Sequence, residues 1–195
     1  MKKLRFWSAL FCVLALLPAC SSGNDDTWAD IPNSEVTPIT SKNKVIYEAN
    51  VHAYSPEGTF NAIERDLPRL KNLGVDILWL MPIHPIGIQN RSGTLGSPYS
   101  VRDYKSVNPD FGTDDDFKSL IKAAHALKIE IWMDWVANHT AWDNVWVANH
   151  LDYYAEKDGQ RPYSPSGWAD VIQLDYNNAD MRAAMIDAMK YWVKE

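Results

Sequence analysis

At 195 residues the chain is long enough to bury a sizeable core within one domain. Its 19 Lys and Arg against 25 Asp and Glu leave a net charge of -6, with no basic cluster beyond the amino terminus, which argues against nucleic acid as a partner. Nine Trp and nine Tyr are many for this length. Flat aromatic faces cover the apolar faces of sugar rings, but an aromatic-rich core uses the same residues, and the two readings stand level.

Both cysteines, Cys12 and Cys20, lie near the amino terminus. A basic start (Lys2, Lys3, Arg5), an apolar run over residues 6–17 and then Pro18-Ala19-Cys20 have the form of an export signal, too short for a membrane span. Leu17-Pro18-Ala19-Cys20 resembles a bacterial lipobox. That resemblance implies a lipoprotein signal peptide over residues 1–20, lipidation of Cys20, and an exported protein anchored to a bacterial membrane. Only Cys20 would survive cleavage, so no disulfide framework is expected despite the export. Residues 21–44 are polar, with Asp25, Asp26 and scattered Ser, Thr, Asn and Pro, and read as a flexible linker.

Residues 45–51 (VIYEANV) read as the first strand, and Ser55-Pro56-Glu57-Gly58 as a turn. Phe60, Ile63, Leu67, Leu70 and Leu73 then recur at helical spacing, with Asn61 and Glu64 as a capping pair. Pro68 predicts a kink or a restart with Asp66 as a new cap, and Gly74 the stop. Residues 75–81 form a near-continuous apolar strand, the kind covered on both faces of a sheet. A Pro-, Gly- and Ser-rich segment over residues 83–108 follows, of a length that is usually functional or disordered.

A second helix is expected after Thr113, its first-turn Asp114, Asp115 and Asp116 favouring the helix dipole rather than a metal. Phe117, Leu120, Ile121, Ala124 and Leu127 make its buried stripe. Residues 129–136 (IEIWMDWV) then read as a strand, with Asn138 and His139 at its mouth. Ligands gather at the carboxyl ends of parallel strands, so this stretch reads as the wall of a site. Residues 141–170 are irregular and aromatic, residues 171–174 a short extended piece, and a third helix begins near Asp180. Three alternations of strand and helix predict parallel βαβ units, fewer than the eight that close a barrel of about 250 residues.

Asp134-Trp135-Val136-Ala137-Asn138-His139 resembles the first signature of the α-amylase family, glycoside hydrolase family 13. Residues 74–83 (GVDILWLMPI) are similar to that family's second barrel strand. Pro98-Tyr99-Ser100-Val101-Arg102-Asp103-Tyr104, with Asn108-Pro109 and Phe111-Gly112-Thr113 behind it, resembles the loop before its second helix. The likeness spans residues 45–195 and implies the amino-terminal part of an α/β TIM (β/α)8 barrel, with residues 141–170 as a short form of the family's small second domain. It also implies retaining cleavage of α-1,4-glucans. A non-catalytic glucan-binding lipoprotein and a transglycosylase or a sucrose- or trehalose-acting member remain the alternatives.

Carried over residue by residue, Tyr99 would stack on the sugar in the cleavage subsite and His139 would donate to one of its hydroxyls. Asp103 and Asp134 would support the loops, and the carbonyl oxygen of Asn138 would ligate a structural calcium. The chain departs from the family pattern in three places. Gln173 stands where a calcium-supporting Asp is usual, and Ser97 where many members have His. The nucleophile and the acid/base belong to the fourth and fifth strands, so both are expected after Glu195 and the chain itself is expected to be inactive.

Overall fold

The computed structural model describes residues 43–194; the signal peptide, Cys20 and nearly all of the linker expectation lie outside them. Strands β1 (Ile46–Ala49), β2 (Ile77–Leu80) and β3 (Glu130–Met133) form a parallel sheet in the order β1-β2-β3. The register aligns Tyr47, Leu78 and Ile131 in one row and Ala49, Leu80 and Met133 in another. Side chains alternate across a pleated sheet, so both rows share a face. That face meets helices α2 (Phe60–Asn72) and α3 (Asp114–Ala126) in one apolar core, where Phe60 and Phe117 rings lie 5.1 Å apart. The opposite face carries Glu48, Trp79 and Trp132, and Trp132 is 49% exposed.

Local chemistry sets the boundaries, and several differ from expectation. The first strand ends at Ala49 because Asn50 turns the chain: its side chain accepts from the Ala53 N–H at 3.3 Å and caps the short helix α1 (Val51–Tyr54). Thr59, not Asn61, caps α2, accepting from Ala62 N at 3.3 Å, while Asn61 donates to Asp116 at 3.0 Å. Pro68 neither ends nor restarts the helix. It lies inside one element, where burial of Ile63, Leu67 and Leu70 outweighs the hydrogen bond that Pro cannot make. Asp66 is accordingly no cap; it accepts from Arg69 Nη2 at 2.6 Å and from the Tyr54 hydroxyl. Helix α3 begins as expected, with a reciprocal capping box between Thr113 and Asp116.

The third strand is shorter than expected, stopping at Met133. The chain re-enters regular structure at β4 (His139–Ala141), which pairs antiparallel with β5 (Val171–Gln173) and clamps the aromatic excursion between them. Helix α4 (Ala179–Lys194) closes the described chain, burying Met181, Met185 and Ala188. They join Tyr104, Tyr154, Ile172 and Leu174 in a second core beneath the excursion. Among the described residues, no helix is long and apolar enough to cross a membrane.

Candidate functional site

The loop after β2 folds back on itself, Gly87 N–H donating to Ser100 O and Arg102 N–H to Pro85 O, both at 2.8 Å. It then packs on β4 at Gly87, where a Cβ would stand 2.4 Å from that of Ala141, so only glycine allows this approach. Asp143, just past β4, accepts from the Ile88 N–H at 3.0 Å, and Ser100 Oγ donates to Asp170 O at 2.9 Å. Two distant stretches thereby become two walls of one cavity of about 440 Å³. Ser92, Ser97, Tyr99, His139, Trp168, Asp170 and Val171 line it.

Tyr99 is 36% exposed and donates from its hydroxyl to Asp134 Oδ2 at 3.0 Å. Partial burial and then the Asp134 carboxylate raise its pKa, so the phenol stays protonated and the ring stays oriented. His139 is 9% exposed and meets the Trp168 ring edge to face at 5.6 Å. Burial lowers its pKa and so favours the neutral ring, opposed by the nearby Asp170 charge and a backbone hydrogen bond at Tyr99. Asn138 Nδ2 lies 3.1 Å from His139 Nδ1 and, being an N–H donor, assigns the ring proton to Nε2.

The loop bearing His139 is pinned carbonyl by carbonyl. The buried Tyr104 hydroxyl reaches Val136 O at 2.7 Å and His139 O at 3.1 Å. Tyr176 donates to Ala137 O, and Asn138 O accepts from Leu174 N at 3.2 Å and Gln173 Nε2 at 2.9 Å.

Of the residues singled out in the sequence, Tyr99 and His139 thus share the cavity, and Asp134 joins them through the Tyr99 hydroxyl. Asp103 stands apart: it accepts from Lys105 N at 2.9 Å and Ser106 Oγ at 2.6 Å, fixing the turn whose Ser106 carbonyl meets His84 Nδ1 at 3.1 Å. Asn138 faces Gln173, whose Nε2 approaches Asn138 Oδ1 at 3.2 Å. Calcium takes six to eight oxygens at about 2.3–2.6 Å. Here the Asn138 oxygen already has a donor, and among the described residues no group of three His, Cys, Asp or Glu could hold a metal. The place beside the Asn138 oxygen that a cation would need is thus taken by the Gln173 amide.

Trp168 and Asp170 were not read from the sequence as site residues. An aromatic and an acid immediately before the extended piece at residues 171–174 were the available signal. Together the cavity offers an aromatic face, a neutral imidazole, a carboxylate and hydroxyls, the set that binds a polyhydroxylated ring.

The sequence matches the family model described as alpha amylase, catalytic domain, over residues 21–195. A crystal structure of an α-amylase from Lactobacillus plantarum superposes with a TM-score of 0.75 at 42% identity, covering 77% of this chain and 36% of that one. Alpha-amylase 3 of Dictyoglomus thermophilum is 29% identical over 180 residues, 79% of this chain and 35% of that protein. Trehalose-6-phosphate hydrolase of Bacillus subtilis is 31% identical over 171 residues, 71% of this chain and 29% of that protein. The chain spans about a third of the length of these relatives.

Proposed function

Because the chain belongs to the α-amylase catalytic-domain family and folds as the amino-terminal part of its barrel, we propose that it serves an enzyme cleaving α-1,4-glucosidic bonds of starch-like glucans with retention. The observation that carries this reading is the single cavity shared by Tyr99 and His139. In it the Tyr99 ring covers the apolar face of one glucose unit. On binding, the Nε2–H of the neutral His139 ring exchanges its backbone bond at Tyr99 for a hydroxyl of that unit, and Asp134 holds Tyr99 in place through their hydrogen bond. Retention requires a nucleophile and a separate acid/base, one carboxyl group on each side of the bond. The family resemblance assigns both to strands that follow Glu195, so residues 1–195 bind sugar without cleaving it.

Starch incubated with residues 1–195 should yield no reducing ends. The same sequence extended through the fourth and fifth strands should release α-anomers first, as read by proton NMR. Cleavage by the shorter protein, or β-anomers from the longer one, would overturn the reading. The Bacillus subtilis relative, named a trehalose-6-phosphate hydrolase, favours a second reading in which the substrate is a trehalose-type disaccharide; product analysis separates the two. We also propose, from the lipobox, that Cys20 anchors the protein to the exported face of a bacterial membrane. Cys20→Ala should then move it to the soluble exported fraction, and unchanged partitioning would refute the anchor.

A further inference from the structure

We propose that the Gln173 carboxamide does in this chain what calcium is expected to do in its relatives, tying the loop after β3 to β5 and thereby positioning His139 without a metal. Gln173 Nε2 lies 2.9 Å from Asn138 O, 3.2 Å from Asn138 Oδ1 and 3.3 Å from Leu174 O. Three oxygens converge on one point, as they would around a hard cation, but at hydrogen-bond lengths and around an N–H donor.

The amide orientation follows from those partners. Flipping it would set Gln173 Oε1 against three acceptor oxygens and lose every bond. As it stands, Oε1 faces Asn138 Nδ2 at 3.4 Å, so the two carboxamides run head to tail. Asn138 Nδ2 spends its other hydrogen on His139 Nδ1 at 3.1 Å. The connection thus runs from Gln173 through Asn138 to the imidazole. The antiparallel register, which sets His139 directly opposite Gln173, keeps all three side chains together. Gln173 is therefore a positioning residue: it touches no sugar and acts by fixing the Asn138 amide that selects the His139 tautomer.

The test uses the full chain, purified in detergent, and measures no sugar, so its outcome is independent of the proposed substrate. In wild type, EGTA and added calcium should both leave the melting temperature unchanged. Gln173→Leu should lower it by about 2–4 °C, the shift for roughly 1 kcal/mol in a chain of this size, again without a calcium response. Gln173→Glu, which puts a carboxylate among the oxygens, should melt lower in EGTA and recover with calcium. Nitrogen-15 NMR of the imidazole should show the Nε2–H tautomer in wild type and a mixture in Gln173→Leu. A wild-type melting temperature that falls in EGTA or rises with calcium would overturn the proposal. So would a Gln173→Leu protein whose His139 tautomer is unaltered.

Discussion

On the helix-covered face of the sheet, Phe60, Ile63, Leu67, Leu78 and Leu80 are buried against one another in a core built of apolar side chains. Around His139 the buried set is mixed. Tyr154 meets Thr140 Oγ1 at 3.0 Å, Asn144 donates to Val101 O at 3.0 Å, and Tyr104 serves two carbonyls. Dispersion and water exclusion hold the first region, and they scale with area while leaving direction free. Directed hydrogen bonds hold the second, fixing each backbone carbonyl from Val136 to His139. The proposed presentation of one imidazole nitrogen to one hydroxyl needs the second kind of order.

If that contrast is right, the largest single loss of stability belongs to the apolar region. Leu78, fully buried on the central strand, should cost about 2–5 kcal/mol as Leu78→Ala, measured by urea unfolding. A loss below 1 kcal/mol would mean that the sheet is not the main source of stability.

His84 sits between the regions and ties stability to pH. Its ring packs edge-on against Trp135 at 5.5 Å and Tyr104 at 5.8 Å, and its buried Nε2 has no hydrogen-bond partner among the described residues. Burial pushes its pKa from 6.5 down to about 4, against smaller opposing effects of the Ser106 carbonyl and the Asp103 charge. A depressed histidine pKa means that the unfolded chain binds the proton first. Stability is therefore complete above pH 6.5 and falls as pH drops toward 4, by about 3 kcal/mol at most for this group. His84→Phe should flatten that part of the melting-temperature profile; an unchanged acid limb would show that other groups cause it.

Smaller still is the effect of Tyr104→Phe, which removes only a hydroxyl and leaves the carbonyls of Val136 and His139 without that donor. It should cost about 1–3 kcal/mol and loosen the His139 loop, seen as faster amide exchange there and unchanged exchange in α2 and α3. Uniform acceleration would erase the distinction between the regions.

The same contrast explains what could be read from sequence. The run at residues 75–81 announced a central strand, and Thr113 with Asp116 announced the start of α3, because both signals are local. Pro68 misled for the opposite reason, since tertiary burial overrode a local rule. His139 stood out by its place just past the end of a strand, whereas Tyr99 and the role of each came from family resemblance. Strand β4 has three residues and a partner some thirty positions away, so it leaves no periodic trace. Gln173 was visible as a departure, but its role depends on three oxygens that only folding assembles.

The central claim is that His139 acts on the sugar rather than on the fold, and His139→Asn in the enzyme carrying its complete barrel tests it most directly. Turnover and melting temperature are measured on the same preparation. A donor that strengthens in the transition state predicts a kcat lower by about 10²–10³, with KM and Tm near those of wild type. A protein that melts early yet turns over at the normal rate would contradict the account and make His139 a structural residue.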